Sequence, residues 1–203
     1  DVYKRQPNWR DDLRDFRKLG RPRLFFGISA GCMDSMVNKY TANKRLRSDD
    51  AYTPDGRPDM RPEYPSIVYT QILKKLYPDV PVVLGGIEAS MRRLSHYDYW
   101  QDRLKKSILC ESGADMLIYG MGEKPICELV RRLTALCDNQ DGVISSSDIH
   151  SPALSSIPQT AYLTRKYESD ENDITLYSHE ECLADKKKQA TNFRHIEEES
   201  NKY

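Results

Sequence analysis

Apolar positions along the chain follow two alternating rhythms. Leu24-Phe25-Phe26-Gly27-Ile28, Val80 to Leu84 and Met116 to Tyr119 are short continuous runs with the length and side-chain types of buried strands. Between and after them apolar residues recur three and four positions apart. The sets are Met33, Met36, Val37 and Tyr40, then Val68, Ile72, Leu73 and Leu76, then Ile126, Leu129, Val130, Leu133 and Leu136. That spacing puts side chains on one face of a helix. Trp9, Leu13 and Phe16 predict a lead-in helix stopped at Gly20 and Pro22, Ser107-Ile108-Leu109 a small element, and Ile157 to Thr164 one extended strand. Strands alternating with helices predict an α/β fold of three layers, its mainly parallel sheet covered on both faces.

The polar stretches set the organisation. Residues 41–62 hold Asn43, Asp49, Asp50, Tyr52, Pro54, Gly56, Pro58 and Pro62 with almost no apolar pattern, and read as a long loop. Asp138 to Ser156, rich in Asp, Asn, Gly and Ser, reads as an exposed connection. Ser178-His179-Glu180-Glu181 has the form of a capping box, opening a charged helix from about Cys182 to Glu199. Its apolar positions are sparse, so it must lean on other parts of the protein. An α/β domain over 1–137, followed by a linker, strand and charged helix over 138–203, is the expected division.

Three strand-to-loop junctions would share one edge of a parallel sheet: Ser29-Ala30-Gly31 with Asp34 and Asn38 beyond it, Gly85-Gly86 with Glu88 and Ser90, and Gly120-Met121-Gly122 with Glu123. Glycine lets backbone N–H groups approach a phosphate or a planar ring, though the same residues also serve simply to turn tight corners. None matches a dinucleotide fingerprint or a P-loop. Arg92, Arg93, His96, Tyr97, Asp98, Tyr99 and Trp100 offer an anion clamp or a stacking platform, or alternatively an irregular loop whose aromatics plug the sheet edge. His96 alone makes no metal site. The loop from Asn43 to Tyr52 is placed to close over the same edge, with Lys44, Arg45 and Arg47 as cations, or to dock on a neighbouring domain.

Composition narrows the function classes. The 203 residues carry 31 basic and 31 acidic side chains, so no global field favours a polyanion, although residues 1–50 hold twelve Lys/Arg against seven Asp/Glu. No apolar run approaches the ~20 residues of a membrane span and no signal-peptide core is present, which predicts a cytoplasmic protein. Cys32, Cys110, Cys127, Cys137 and Cys182 lie 78, 17, 10 and 45 residues apart, too far for a zinc knuckle or an iron–sulfur loop. They read as reduced thiols, with Cys127 packed on the apolar side of its helix.

Met33-Asp34-Ser35-Met36-Val37-Asn38-Lys39-Tyr40-Thr41-Ala42-Asn43-Lys44, Arg47-Ser48-Asp49-Asp50-Ala51-Tyr52-Thr53-Pro54, Gly85-Gly86-Ile87-Glu88-Ala89-Ser90, Arg92-Arg93, His96-Tyr97-Asp98-Tyr99-Trp100 and Tyr119-Gly120-Met121-Gly122-Glu123 together closely resemble the N-terminal region of the YgiQ family of radical SAM proteins. The resemblance runs from about Pro7 to the end. It implies a parent protein that holds a [4Fe–4S] cluster on a Cys-x3-Cys-x2-Cys loop, binds S-adenosylmethionine and generates a deoxyadenosyl radical on a substrate the resemblance does not name. The cluster loop would follow the charged helix, beyond Tyr203, and a first strand and helix would precede Pro7-Asn8-Trp9, where Asp1 to Gln6 do not match. The expectation is therefore a truncated N-terminal portion, with no catalytic residue and no metal ligand of its own. Its partner would be the radical SAM barrel of the same polypeptide. Such regions are similar to flavodoxin-like, cobalamin-binding domains, but the Asp-x-His-x-x-Gly corrin-ligand setting is absent from these residues. An accessory domain facing substrate or cofactor, a non-catalytic docking module and, third, a nucleic-acid-binding module disfavoured by the zero net charge are the competing readings.

Overall fold

The sheet is built from strands whose alternate side chains feed two separate cores. A computed structural model describes residues 7–18, 20–139, 142–167 and 170–201, and the readings of residues 1–6 and of Gln140 and Asp141 fall outside these. In chain order the elements are α1 (Arg14–Arg17), β1 (Phe26–Ser29), α2 (Ser35–Lys39), α3 (Pro65–Leu76), β2 (Val82–Gly85), α4 (Gly86–Met91), β3 (His96–Asp98), β4 (Arg103–Lys105), α5 (Ile108–Ser112), β5 (Met116–Ile118), α6 (Glu123–Asn139), α7 (Pro152–Ser155), β6 (Thr160–Ala161), α8 (His179–Ala184) and α9 (Lys186–Ser200). By compactness they fall into two units, Asp1–Leu94 with Ser107–Leu163, and Ser95–Lys106 with Thr164–Tyr203.

In the first unit the strand order is β1-β2-β5-β6, with β1, β2 and β5 parallel and β6 antiparallel to β5. Successive residues of a strand point to opposite faces. Val82, Leu84 and Leu117 accordingly enter a core with Phe16, Tyr69, Leu73, Ala89, Ile108 and Leu109. Val83, Met116 and Ile118 enter another with Leu129, Leu133, Cys137, Ile149 and Leu154. This gives the three-layer α/β architecture that the apolar runs predict. Burial also pushes the Tyr69 phenol well above its ordinary pKa.

Several local expectations change. The lead-in helix is one turn, because Leu13 adopts a left-handed backbone just before it. On α2 only Met36 of the predicted apolar face is buried; Met33 and Val37 are exposed, and Asp34, Ser35 and Asn38 turn inward. Residues after Gly85 form α4 rather than a loop. The stretch after Leu136 is no exposed connection: Ile144, Ile149, Leu154 and Ile157 fill the second core under Ser and Asp side chains that face out. On α6 the buried line is Leu129, Leu133 and Cys137, whereas Cys127 and Val130 are exposed. The helix is thus rotated by part of a turn from the face the apolar spacing suggested. Among the described residues no helix is long and apolar enough to cross a membrane.

The second unit holds the β3/β4 antiparallel hairpin, where an anion clamp, a stacking platform or an irregular loop were the alternatives, and α8 with α9. The charged helix is broken at Asp185, whose extended backbone ends α8 while its side chain caps α9 through Lys187 N. The capping box forms as read: Ser178 Oγ accepts from Glu181 N at 3.2 Å, and Ser178 N donates to Glu181 Oε2 at 2.9 Å. Asn192 on α9 is buried and grips the backbone of Tyr177 on both its N–H and its carbonyl, at 2.9 Å each.

Two outcomes follow. Leu129→Ala should lower unfolding free energy by about 2–5 kcal/mol and Val130→Ala by less than about 1 kcal/mol in denaturant titrations; equal effects would refute the helix rotation. Glu181, held down to about 2 by Lys188 and then by Ser178, has its ordinary carboxyl value near 4.5 lowered on folding. Its contribution to helix stability is present above pH 4.5 and is lost as pH falls toward 2. Glu181→Gln should therefore lower the thermal midpoint at neutral pH, with the difference from the unsubstituted chain closing toward pH 2.

Candidate functional site

Three turns meet at the carboxyl edge of β1, β2 and β5. They surround a cleft of about 260 Å³ lined by Gly27, Ser29, Gly85, Gly86, Gly120 and Gly122, over a floor that includes Val83, Ile118 and Ile126. Close approach explains the glycines. Gly86 has φ of +81°, and a Cβ there would stand 2.5 Å from Ser29 Oγ and 2.9 Å from the Gly31 carbonyl oxygen. Ser90 joins the next turn to α4: its Oγ donates to the Gly86 carbonyl at 2.8 Å and accepts from Gly120 N at 3.3 Å. Gly27 differs from Gly86, because a Cβ there would meet only Phe25 Cε2, at 3.9 Å. Gly27, like Gly85, is a point from which the cleft can be filled without backbone strain.

Behind the edge lies a buried polar network. Asp34 caps α2, with Oδ1 accepting from Met36 N at 3.0 Å and Val37 N at 3.2 Å, while Oδ2 pairs with Arg92. The Arg92 guanidinium lies over the Tyr64 ring, 5.3 Å from its centroid. Asp50 Oδ1 accepts from Asn38 Nδ2 at 2.7 Å, and its Oδ2 pairs with Arg61 Nε at 3.0 Å. Arg61 also donates from Nη1 to the Ala30 carbonyl at 3.2 Å, fastening the long loop to the turn after β1. Glu88 is fully buried; its Oε1 accepts from Ser66 N at 3.1 Å and so satisfies an N-terminal amide of α3, where the preceding Tyr64 supplies no side-chain cap. Among the described residues Glu88 Oε2 has no hydrogen-bond partner. Tyr52 covers Gly31, and its hydroxyl lies 3.1 Å from Cys32 Sγ, which raises the phenol's pKa.

The residues singled out in the sequence thus separate. Gly85, Gly86, Gly120 and Gly122 line the cleft, and Ser90 braces it. Arg93 stacks on Tyr119, 4.9 Å from its centroid, and donates to the Ser90 carbonyl at 2.7 Å. Asp34, Asn38, Glu88 and Arg92 belong to the buried network, while Asn43 and Glu123 are exposed. His96, Tyr97, Asp98 and Tyr99 lie in the second unit, in the β3/β4 hairpin and its turn, where buried Asp98 accepts from Trp100 N and Gln101 N at 2.9 Å and Tyr97 donates to Asp102. Gly27, Asp50 and Arg61 are further members, beyond those singled out in the sequence. Ser29 stood in the Ser-Ala-Gly turn, whereas nothing in the spacing of Asp50 and Arg61 announces a buried pair.

No group of three or more His, Cys, Asp or Glu among the described residues is placed to hold a metal. The cysteines are dispersed, with Cys137 and Cys182 buried. These residues do not fit an iron–sulfur cluster.

A sequence profile described as "Radical SAM N-terminal" matches residues 4–203. A "UPF0313 protein" of Bacteroides thetaiotaomicron is 76% identical over 200 residues, covering 98% of this chain and 32% of its own length. One from Porphyromonas gingivalis is 66% identical over 201 residues, covering 98% and 30%. The "UPF0313 protein YgiQ" of Escherichia coli is 56% identical over 128 residues, covering 63% and 17%. The chain therefore spans about a third of the length of the first two relatives. No solved structure matches it. The glycine turns and the loop held by Asp50 and Arg61 are accordingly features of a chain that belongs to the radical SAM N-terminal family.

Proposed function

We propose that this chain is the accessory α/β domain of a radical SAM enzyme and that its glycine-lined edge takes part in binding that enzyme's substrate or cofactor. The cleft carries the reading. It opens at the carboxyl ends of three adjacent parallel strands, where backbone rather than side chains forms the wall. An open α/β sheet offers its ligands that position because the strand-end turns diverge there.

The [4Fe–4S] cluster and S-adenosylmethionine belong, on this proposal, to the remaining polypeptide of the relatives, since the described residues of this chain do not fit a cluster. When bound, such a cluster supplies the electron that cleaves S-adenosylmethionine. This chain's own residues shape the cleft: Gly27, Gly85 and Gly86 keep it shallow-walled, Ser90 fixes the turn at Gly120, and Arg61 holds the loop from Thr41 to Arg61 against Ala30. A docking role without ligand is the second reading, favoured by the burial of Asp34, Glu88 and Arg92, which makes them supports rather than contacts.

The test uses a full-length protein in which this chain replaces the matching third of the Bacteroides thetaiotaomicron relative. Gly27→Leu should reduce 5′-deoxyadenosine formation by about tenfold or more while leaving the thermal midpoint within about a degree, since Gly27 is exposed and a Cβ there meets no atom closer than 3.9 Å. Unchanged formation in the leucine variant would refute a ligand role for the cleft.

A further inference from the structure

The segments that leave the strand ends at the cleft carry four exposed apolar side chains at its rim, beside the exposed Glu123. Met33, Ile87, Met91 and Met121 are 43%, 42%, 62% and 76% exposed. They come from three separate segments, and the contacts behind them bring those segments together. Ile87 and Met91 stand four residues apart on α4, on one face of it. Met33 and Met91 each immediately precede a member of the buried Asp34–Arg92 pair, so the pair brings the two segments that carry these methionines together. Met121 follows Gly120, whose N–H is bonded to Ser90 of α4 at 3.3 Å. The Gly31 carbonyl lies 2.9 Å from where a Gly86 Cβ would be, which closes the group on the remaining side. Exposed side chains of this kind, carried by segments that meet at a cleft, mark a surface that another body covers. Methionine in particular adapts to an irregular partner, because its unbranched thioether has low rotamer specificity.

The geometry points to the remaining two thirds of the relatives' polypeptide as that body: an intramolecular apolar face seats on Met33, Ile87, Met91 and Met121 and closes the cleft against water. This rests on the proposed role of the edge and adds what covers it. The occupant follows from chain length. Relatives 76% and 66% identical match across 98% of this chain yet continue for about twice as much polypeptide again. A covalently joined domain meets the rim at high effective concentration, so a modest apolar contact suffices to hold it.

Hydrogen peroxide footprinting of the full-length hybrid reads this directly, because methionine oxidation follows exposure. Met33, Met91 and Met121 should oxidise about tenfold or more slowly than Met60, which is 47% exposed and sits on a segment tied instead to Trp9 through its carbonyl at 3.0 Å. Buried Met36 and Met116 report that the domain stays folded. Met91→Glu, at an exposed site, should restore oxidation at Met33 and Met121 while Met36 and Met116 remain protected. Oxidation fastest at Met121, then Met91, with Met33 and Met60 alike, is the order that exposure in this domain alone dictates, and it would overturn the proposal. Protection unaltered by Met91→Glu would overturn it too. Protection that disappears on dilution would overturn it in favour of a second copy of the chain. None of these readouts involves deoxyadenosine formation, so failure of the covered rim and failure of the ligand role of the cleft are separable.

Discussion

The carboxyl edge of this sheet depends on one buried ion pair, Asp34 with Arg92. Asp34 uses both carboxylate oxygens, one to cap α2 and one to hold Arg92 at the end of α4. The two helices follow neighbouring strands, so the pair fixes the spacing of the turns that leave β1 and β2. Breaking such a pair leaves a charge buried without its partner, at a cost of about 3–5 kcal/mol. The second buried pair, Asp50 with Arg61, extends the same arrangement to the long loop, and Glu88 extends it to the start of α3. Polar groups thus occupy places that an apolar core would fill in a simpler α/β domain.

What this arrangement achieves is close approach. With α2 and α4 held in register, the turn at Ser29 to Gly31 presses on Gly86 and Ser90 reaches Gly120, so that backbone forms the wall of a cleft over an aliphatic floor. The segments that carry those turns leave Met33, Ile87, Met91 and Met121 exposed. Rigid support behind, a backbone-lined cleft between and methionines around it suit a domain that works against another part of its own polypeptide. The proposals for the cleft and its rim are two consequences of one placement.

Much of the fold was legible in the sequence, and the exceptions share a cause. The strands β2 and β5 appeared as continuous apolar runs because they are buried on both faces, and α3 appeared because its apolar face meets the sheet. The reading of α2 failed because its inward face is Asp34, Ser35 and Asn38, which only a buried charge network makes tolerable. The stretch around Ile149 and Leu154 was misjudged because single apolar residues in short turns show no periodicity, yet still fill a core. At the site, glycine pairs after apolar runs located the edge correctly. Which residues support it and which face the cleft depends on three-dimensional pairing between segments as distant as Asp34 and Arg92. The β3/β4 hairpin was concealed for a further reason: its residues lie in a second compact unit interrupting the first, and a polar, aromatic run carries no mark of that.

A double-mutant cycle on Asp34 and Arg92 tests the central claim most directly. Asp34→Asn keeps a side-chain oxygen for the cap of α2 and removes the charge, so it isolates the pair. Measured by reversible denaturation, Asp34→Asn and Arg92→Met should each cost about 3–5 kcal/mol, and the double variant should fall short of their sum by more than about 2 kcal/mol. Costs that add to within about 0.5 kcal/mol would contradict the account, because the edge would then be held by something other than this pair.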